Sequence, residues 1–285
     1  MGIYIVQTII ARSLHSLKKN LNKIKKNQKI GLVPTMGSLH EGHLALIKKS
    51  KKLKFFTVVT IFVNPLQFNN KNDFKKYPLQ EKKDIEILKK NNVDLVFVPK
   101  VQQIYPLGFS TYLKEINHSN ILCGKFRENH FAGVLTVVFK LFVLIKPYSA
   151  FFGEKDFQQL FLIKKMVKDL NLEVKIIGVP TVRDNNGLAL SSRNKLLNDK
   201  NLKIASSIYK IFKESKVKNY KNTKSLIIYL KKQLINRGIV DIEYIEIRQS
   251  KNLEKDIILN KEKDLRVFIA AYLKGVRLID NYKIN

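Results

Sequence analysis

The chain has 285 residues, 45% of them hydrophobic, so it can bury the core of one large or two ordinary domains without cross-links. Its single cysteine, Cys123, excludes an internal disulfide or a cysteine cluster, reads as an inert core or loop thiol, and fits a reducing compartment. The net charge of +30 would suit a polyanion binder, but the excess is lysine scattered in pairs such as Lys25-Lys26, Lys48-Lys49, Lys82-Lys83 and Lys164-Lys165, so a solvated surface is expected and no specific nucleic-acid partner.

In chain order, the first marked element is Ile30 to Pro34, an apolar run that reads as a buried strand. It feeds Thr35-Met36-Gly37-Ser38-Leu39-His40-Glu41-Gly42-His43 and then a helix expected over Gly42 to Leu53. Such a strand, turn and helix are expected to leave backbone N–H groups open at the helix start, where a polyphosphate can sit. His40 and His43 share a face of the first turn, so both imidazoles can donate to phosphate oxygens that gain charge during a reaction. Zinc is the poorer reading, because the metalloprotease pattern His-Glu-x-x-His needs its second histidine one position later. Phe55 to Val63 follows as a β-branched strand, Gln80 to Asn91 as a charged amphipathic helix and Leu95 to Val98 as a short strand. In the loop Asn64-Pro65-Leu66-Gln67-Phe68, the Gln67 amide can both accept from and donate to a small hydroxylated substrate.

Ala132 to Lys146 reads as a mostly buried helix. The longest apolar run, Phe131 to Ile145, is too short for a membrane span and contains Lys140; with no charged-then-apolar leader, a cytoplasmic protein with no membrane partner is expected. Ala150 to Phe152 is a strand, Phe157 to Leu170 a helix and Val174 to Val179 a strand. Between them Gly153-Glu154-Lys155-Asp156, with Gln158-Gln159 on the following turn, offers a lysine to phosphates and an aspartate to ribose hydroxyls, although an ordinary charged helix start has the same composition. Leu190-Ser191-Ser192-Arg193-Asn194 supplies two hydroxyls and a guanidinium, suited to a loop closing over a triphosphate. A Walker loop and a Gly-x-Gly-x-x-Gly run are both absent, which excludes a P-loop kinase and a dinucleotide dehydrogenase. Repeated βαβ units imply an α/β domain with a parallel sheet and ligands at the carboxyl ends of its strands. After Pro180 come helices at Asp199 to Glu214 and Thr223 to Arg237 and strands at Asp241 to Arg248, Arg266 to Leu273 and Val276 to Ile279, a smaller α+β domain. The expected domains are residues 1–182 and 183–285.

With these residues assembled, the chain closely resembles the pantothenate synthetase (pantoate–β-alanine ligase) family over nearly its whole length. The resemblance rests on Pro34 to His43, Phe62 to Phe68, Phe152 to Gln159, Gly187 to Asn194 and Arg277 to Asn281; the His-x-Gly-His element alone is shared with a wider nucleotidyl-transferase superfamily. It implies a Rossmann-like ATP- and pantoate-binding domain, a smaller C-terminal lid domain, a homodimer and a magnesium-dependent reaction. Pantoate would attack the α-phosphate of ATP to give pantoyl adenylate and pyrophosphate, and β-alanine would then displace AMP to yield pantothenate. The carboxylate nucleophile is already ionised at neutral pH, so such a step needs charge stabilisation more than a base. By the same resemblance Met36, Gly37, Ser38, Leu39, His40, Glu41, Gly42 and His43 would cradle ATP, with His40 and His43 catalytic and His43 the proton donor. Gln67 and Gln159 would hold pantoate, with Gln67 also near β-alanine; Gly153, Glu154, Lys155 and Asp156 would contact the nucleotide, Lys155 through phosphate and Asp156 through ribose. Val182 would line adenine, and Leu190, Ser191, Ser192 and Arg193 would close over the phosphates. The residues do not identify a metal ligand.

Two segments depart from the family pattern. Arg127-Glu128-Asn129-His130-Phe131-Ala132-Gly133-Val134 replaces the common Arg-Pro-Gly-His-Phe-Asp-Gly-Val, and Asn186 replaces the usual acid before Gly187, which puts the local loop geometry in question. Two other readings compete: a nucleotidyl transferase of the same superfamily that leaves the nucleotide on its product, and a basic RNA-binding protein on a degenerate ATP fold.

Overall fold

Strands that are apolar on both faces must be covered on both faces. In the computed structural model, which describes residues 7–68, 74, 77–215, 220–255 and 264–284, six such strands form one parallel sheet in the order β1-β4-β3-β2-β5-β6. They are β1 (Ile9–Ala11), β2 (Ile30–Thr35), β3 (Phe56–Ile61), β4 (Leu95–Phe97), β5 (Ser149–Gly153) and β6 (Lys175–Val179). The two-residue side-chain period divides them between two cores: Leu32, Val58, Leu95 and Phe97 face one, Val33, Val59 and Val96 the other. The first core is filled from α4 (His130–Ile145), whose Leu135, Val138, Leu141, Phe142 and Ile145 are buried; the second takes Leu46 and Ile47 of α2 (Glu41–Lys52) and Leu88 of α3 (Glu81–Lys90). The expected helices and strands are present with no end moved by more than four residues, whereas α1 (Leu14–Leu21), β1 and short turns at Val101–Ile104 and Cys123–Phe126 were not expected. No helix among the described residues is long and apolar enough to cross a membrane.

The chain divides into two compact units, one of residues 1–154 and 158–180, the other of residues 155–157 and 181–285. Within the second, β7 (Asp241–Gln249), β8 (Leu265–Leu273) and β9 (Val276–Lys283) form an antiparallel sheet. Alternate residues Leu265, Val267, Ile269, Ala271 and Leu273 share a core with Ile208, Ile211 and Phe212 of α6 (Asp199–Glu214) and Leu226, Leu230 and Leu234 of α7 (Thr223–Asn236). α5 (Phe157–Asp169) begins in this unit and continues in the first. β9 outruns its expected end at Ile279 because Asp280 and Asn281 are buried with partners: Arg183 grips Asp280 with two bonds of 2.6 and 2.8 Å, and Asn281 bonds to Arg266. The Asn281 side chain also donates to the Lys155 carbonyl at 2.9 Å, and the Phe157 ring meets Phe268 at a tilt and carries the Arg266 guanidinium over its face, which ties residues 155–157 to this sheet.

Candidate active site

In a sheet of this order the crossover connections leave in opposite directions from β2 and β5, which are neighbours paired at Gly31–Ser149 and Leu32–Ala150. Ligands of open parallel sheets bind outside the carboxyl ends at such a switch point. β2 is followed by Met36 to His43, and β5 ends at Gly153 and is followed by Glu154 to Asp156.

The turn after β2 is held from within. Gly37 and Ser38 take the left-handed conformation at φ 82° and 51°, and the Gly37 N–H donates to Thr35 Oγ1 at 3.2 Å. Asp84, on α3 and 1% exposed, accepts from two consecutive backbone N–H groups, Ser38 to Oδ2 at 2.7 Å and Leu39 to Oδ1 at 2.9 Å. His40 caps α2, its Nδ1 accepting from the Gly42 N–H at 3.1 Å, while His43 Nδ1 accepts from the His40 N–H at 3.3 Å. The N–H groups of His43 and Leu44 donate to the His40 carbonyl. The expectation of open backbone donors at the helix start is therefore only partly met, because the N–H groups of Ser38, Leu39, His40, Gly42 and His43 are bonded to Asp84, the two rings and the His40 carbonyl. What the turn offers instead is its rings. A neutral imidazole that accepts on Nδ1 carries its proton on Nε2, so His40 and His43, with ring centroids 4.2 Å apart, form a pair of Nε2–H donors. Ser38 and Leu39 point inward, at 0% and 5% exposure.

Gln67 lies on a short 3-10 turn, Pro65–Gln67, packed against α4. A Cβ at Gly133 would stand 2.3 Å from the Leu66 carbonyl oxygen, so only glycine permits this approach. The Gln67 amide contacts Met36 Sδ at 2.7 Å and accepts from Asn64 Nδ2 at 3.2 Å; Asn64 also donates to the Gly133 carbonyl and accepts from the Tyr105 hydroxyl. Burial, helped by nearby Tyr112, pushes the Tyr105 hydroxyl well above the usual tyrosine range, which keeps it a donor. The Gln67 carbonyl receives His130 Nδ1 at 2.7 Å and Arg127 at 3.2 Å, and Arg127 donates again to His130 Nε2 at 3.0 Å. The carbonyl can only accept and the guanidinium only donate, so His130 is the Nδ1–H tautomer. Gln159 is half-buried on α5 with no side-chain hydrogen bond among the described residues, whereas Gln158 is buried and pins His118, Ile121 and Cys123 through their backbones.

Of the remaining predicted residues, Gly153 ends β5 and Glu154 begins a 3-10 turn, both in the first unit. Lys155, Asp156, Val182 and Leu190 to Arg193 belong to the second. There the Leu190 N–H pairs with the Val182 carbonyl, Ser191 caps a 3-10 turn, and Ser192 is buried. Both departing segments keep ordered turns. Asn129 takes φ 56°, which asparagine tolerates best among residues with a Cβ, and Ala132 is buried with its carbonyl accepting from Thr136 Oγ1. Asn186 is exposed, and Asp184 Oδ1 holds the N–H groups of Asn186 and Leu188 at 2.9 Å each. Sequence reasoning missed Asp84, Asn64, Arg127 and the tie of His130 to Gln67. The available signal for Asp84 was a carboxylate on the apolar stripe of α3, one helical turn before Leu88.

A parallel sheet of this order with a His-x-Gly-His helix start at its switch point defines a Rossmann-like α/β protein of the nucleotide-site type. The family model for pantoate-beta-alanine ligase matches residues 9–283. The pantothenate synthetase of Thermosipho africanus is 42% identical over 275 residues, covering 95% of this chain and 98% of that protein. A crystal structure of pantoate-beta-alanine ligase from Francisella tularensis, complexed with beta-gamma ATP and beta-alanine, superposes with a TM-score of 0.83 at 41% identity, over 97% of this chain and 98% of that one. A Thermus thermophilus pantothenate synthetase structure gives 0.88 at 36% identity, over 96% and 99%. The chain belongs to the pantoate-beta-alanine ligase family.

Proposed function

We infer that this chain joins pantoate to β-alanine at the expense of ATP, forming pantothenate. The observation that carries the reading is the paired His40 and His43 Nε2–H donors on the turn after β2, at the switch point of a sheet whose chain matches the family over residues 9–283. The proposed order is attack of the pantoate carboxylate on the α-phosphate, loss of pyrophosphate, then attack of the β-alanine amine on pantoyl adenylate with release of AMP. Charge gathers on phosphate oxygens in the first step, and preorganised N–H donors stabilise charge there without reorganising.

His40 and His43 are proposed to serve that charge, with the rest of Met36 to His43 shaping the ATP site. Gln67 and Gln159 are proposed for pantoate. Gly153, Glu154, Lys155, Asp156, Val182, Leu190, Ser191, Ser192 and Arg193 are proposed as ATP contacts, on the correspondence of their motifs. The assignment of residues 1–182 to ATP and pantoate and of 183–285 to a lid belongs to the same proposal. Among the described residues no cluster of three His, Cys, Asp or Glu side chains could hold a metal ion, and magnesium is proposed to arrive with its nucleotide, coordinated by phosphate oxygens. A cytoplasmic homodimer completes the proposal; Leu107, Tyr112 and Ile116 stand exposed in the first unit and would suit burial against a second copy.

The test supplies ATP, pantoate and β-alanine together and singly while AMP and pyrophosphate are measured. Pyrophosphate exchange into ATP is expected to require pantoate and proceed without β-alanine. Exchange that needs β-alanine would overturn the order, and product that retains the nucleotide would identify a nucleotidyl transferase instead.

A further inference from the structure

A turn between a strand and a helix N-terminus concentrates backbone N–H dipoles and ordinarily takes an external anion. Here the protein supplies the anion itself. Both carboxylate oxygens of Asp84 are bound to consecutive N–H groups of the turn, Ser38 at 2.7 Å and Leu39 at 2.9 Å, and a Cβ at Gly37 would lie 2.9 Å from Oδ2. Asp84 is 1% exposed and comes from α3, more than forty residues further along the chain, where the neighbouring Lys82, Lys83 and Glu86 are turned to solvent. Immediately beyond the two N–H groups it holds stand His40 and His43, whose rings are oriented by N–H groups of the same turn.

We propose that Asp84 is a positioning residue for adenylation: its carboxylate fills the anion site of the turn, fixes the path of Ser38 and Leu39, and thereby aims the Nε2–H donors of His40 and His43. A carboxylate at that place also repels phosphate from the turn's backbone, so the polyphosphate meets the turn through the imidazoles. The inference rests on the function proposed above for its kinetic consequence, but not for its structural one.

The test is Asp84→Asn, which keeps shape and volume but sets an amide NH2 against a backbone N–H that needs an acceptor. Pantoate-dependent pyrophosphate exchange is expected to slow about 10²-fold, the cost of displacing a catalytic group by about an ångström, while the pantoate KM stays within about threefold. Near-normal exchange in the folded variant would overturn the proposal, as would parallel losses of ATP affinity, pantoate affinity and rate, which mark general structural damage. A second measurement needs no variant: ring 15N spectra of the unmodified protein are expected to show His40 and His43 in the Nε2–H form, and Nδ1–H rings would remove the geometry on which the proposal stands. In Asp84→Asn those signals are expected to shift toward a tautomer mixture. An unmodified protein that makes no pantoyl adenylate would refute the functional reading alone, leaving the spectra to decide on Asp84.

Discussion

His40 and His43 accept on Nδ1 and hold their protons on Nε2, whereas His130 donates from Nδ1 to the Gln67 carbonyl and accepts on Nε2 from Arg127. The same side chain is thus set to different tasks by its neighbours. His43→Ala is expected to slow single-turnover formation of pantoyl adenylate by about 10²–10³, the usual loss of one preorganised donor, with His40→Ala similar. His130→Ala is expected to leave that rate less affected and to show in a raised pantoate KM, because it frees the backbone that carries Gln67. Near-normal adenylation in the His43 variant would remove that ring from the mechanism. The histidine pair was legible because spacing on one helical turn fixes a shared face. The use of its backbone was not, because Asp84 acts from a distant helix and no local pattern connects the two. Asn64 stood inside a recognised motif, yet its contacts to Gly133 and Tyr105 depend on α4 and on residue 105, far away in sequence.

Between β4 and α4 the chain has little regular structure, and two side chains take over the pairing of its backbone. Glu115 Oε2 accepts from the N–H groups of His118 and Ser119 at 2.6 and 2.9 Å, while Gln158 holds the carbonyls of His118 and Ile121. Burial alone would raise the Glu115 carboxyl, but hydrogen bonds from the His118 ring and from these two N–H groups outweigh it and hold it below the usual glutamate range. A carboxyl lowered in the folded state stabilises fully above its ordinary value near 4.5 and loses that contribution as pH falls through the lower folded value. Glu115→Gln is therefore expected to cost about 1–2 kcal/mol at pH 7 and progressively less as pH falls below 4.5 and the folded carboxyl takes up its proton, as urea unfolding at pH 7 and at an acidic pH would show. A loss of equal size at both would mean that the charge is irrelevant. Elements with sustained periodicity, such as β3 or α6, could be read from the sequence to within a few residues. This segment could not, since its order comes from single polar side chains. α1 and β1 escaped for a different reason: a strand of three residues and a helix of eight are too short to establish a period.

Across the whole molecule, 53 basic residues face 23 acidic ones, and the described lysines lie largely at the surface of both units. Binding to RNA or DNA is accordingly expected to be weak, blind to sequence and lost steeply with salt; tight selective binding at physiological salt would revive the RNA-binding reading. The α/β character of the larger unit and the α+β character of the smaller were both legible, because strand and helix periods alternate in one and follow each other in the other. The membership of residues 155–157 was not, because it depends on Asn281, Phe268 and Arg266, more than a hundred residues away. The pairing of β2 with β5 has a consequence in time. Gly31 and Ser149 are separated by 118 positions, and closing a flexible loop of that length costs roughly 4 kcal/mol of chain entropy, which the sheet recovers only once β5 docks. The two halves of the switch point therefore come together late in folding. A chain still emerging from the ribosome and shorter than about 155 residues would carry the histidine turn but not its counterpart, so nucleotide could not act as a template for the fold and would stabilise only the finished sheet.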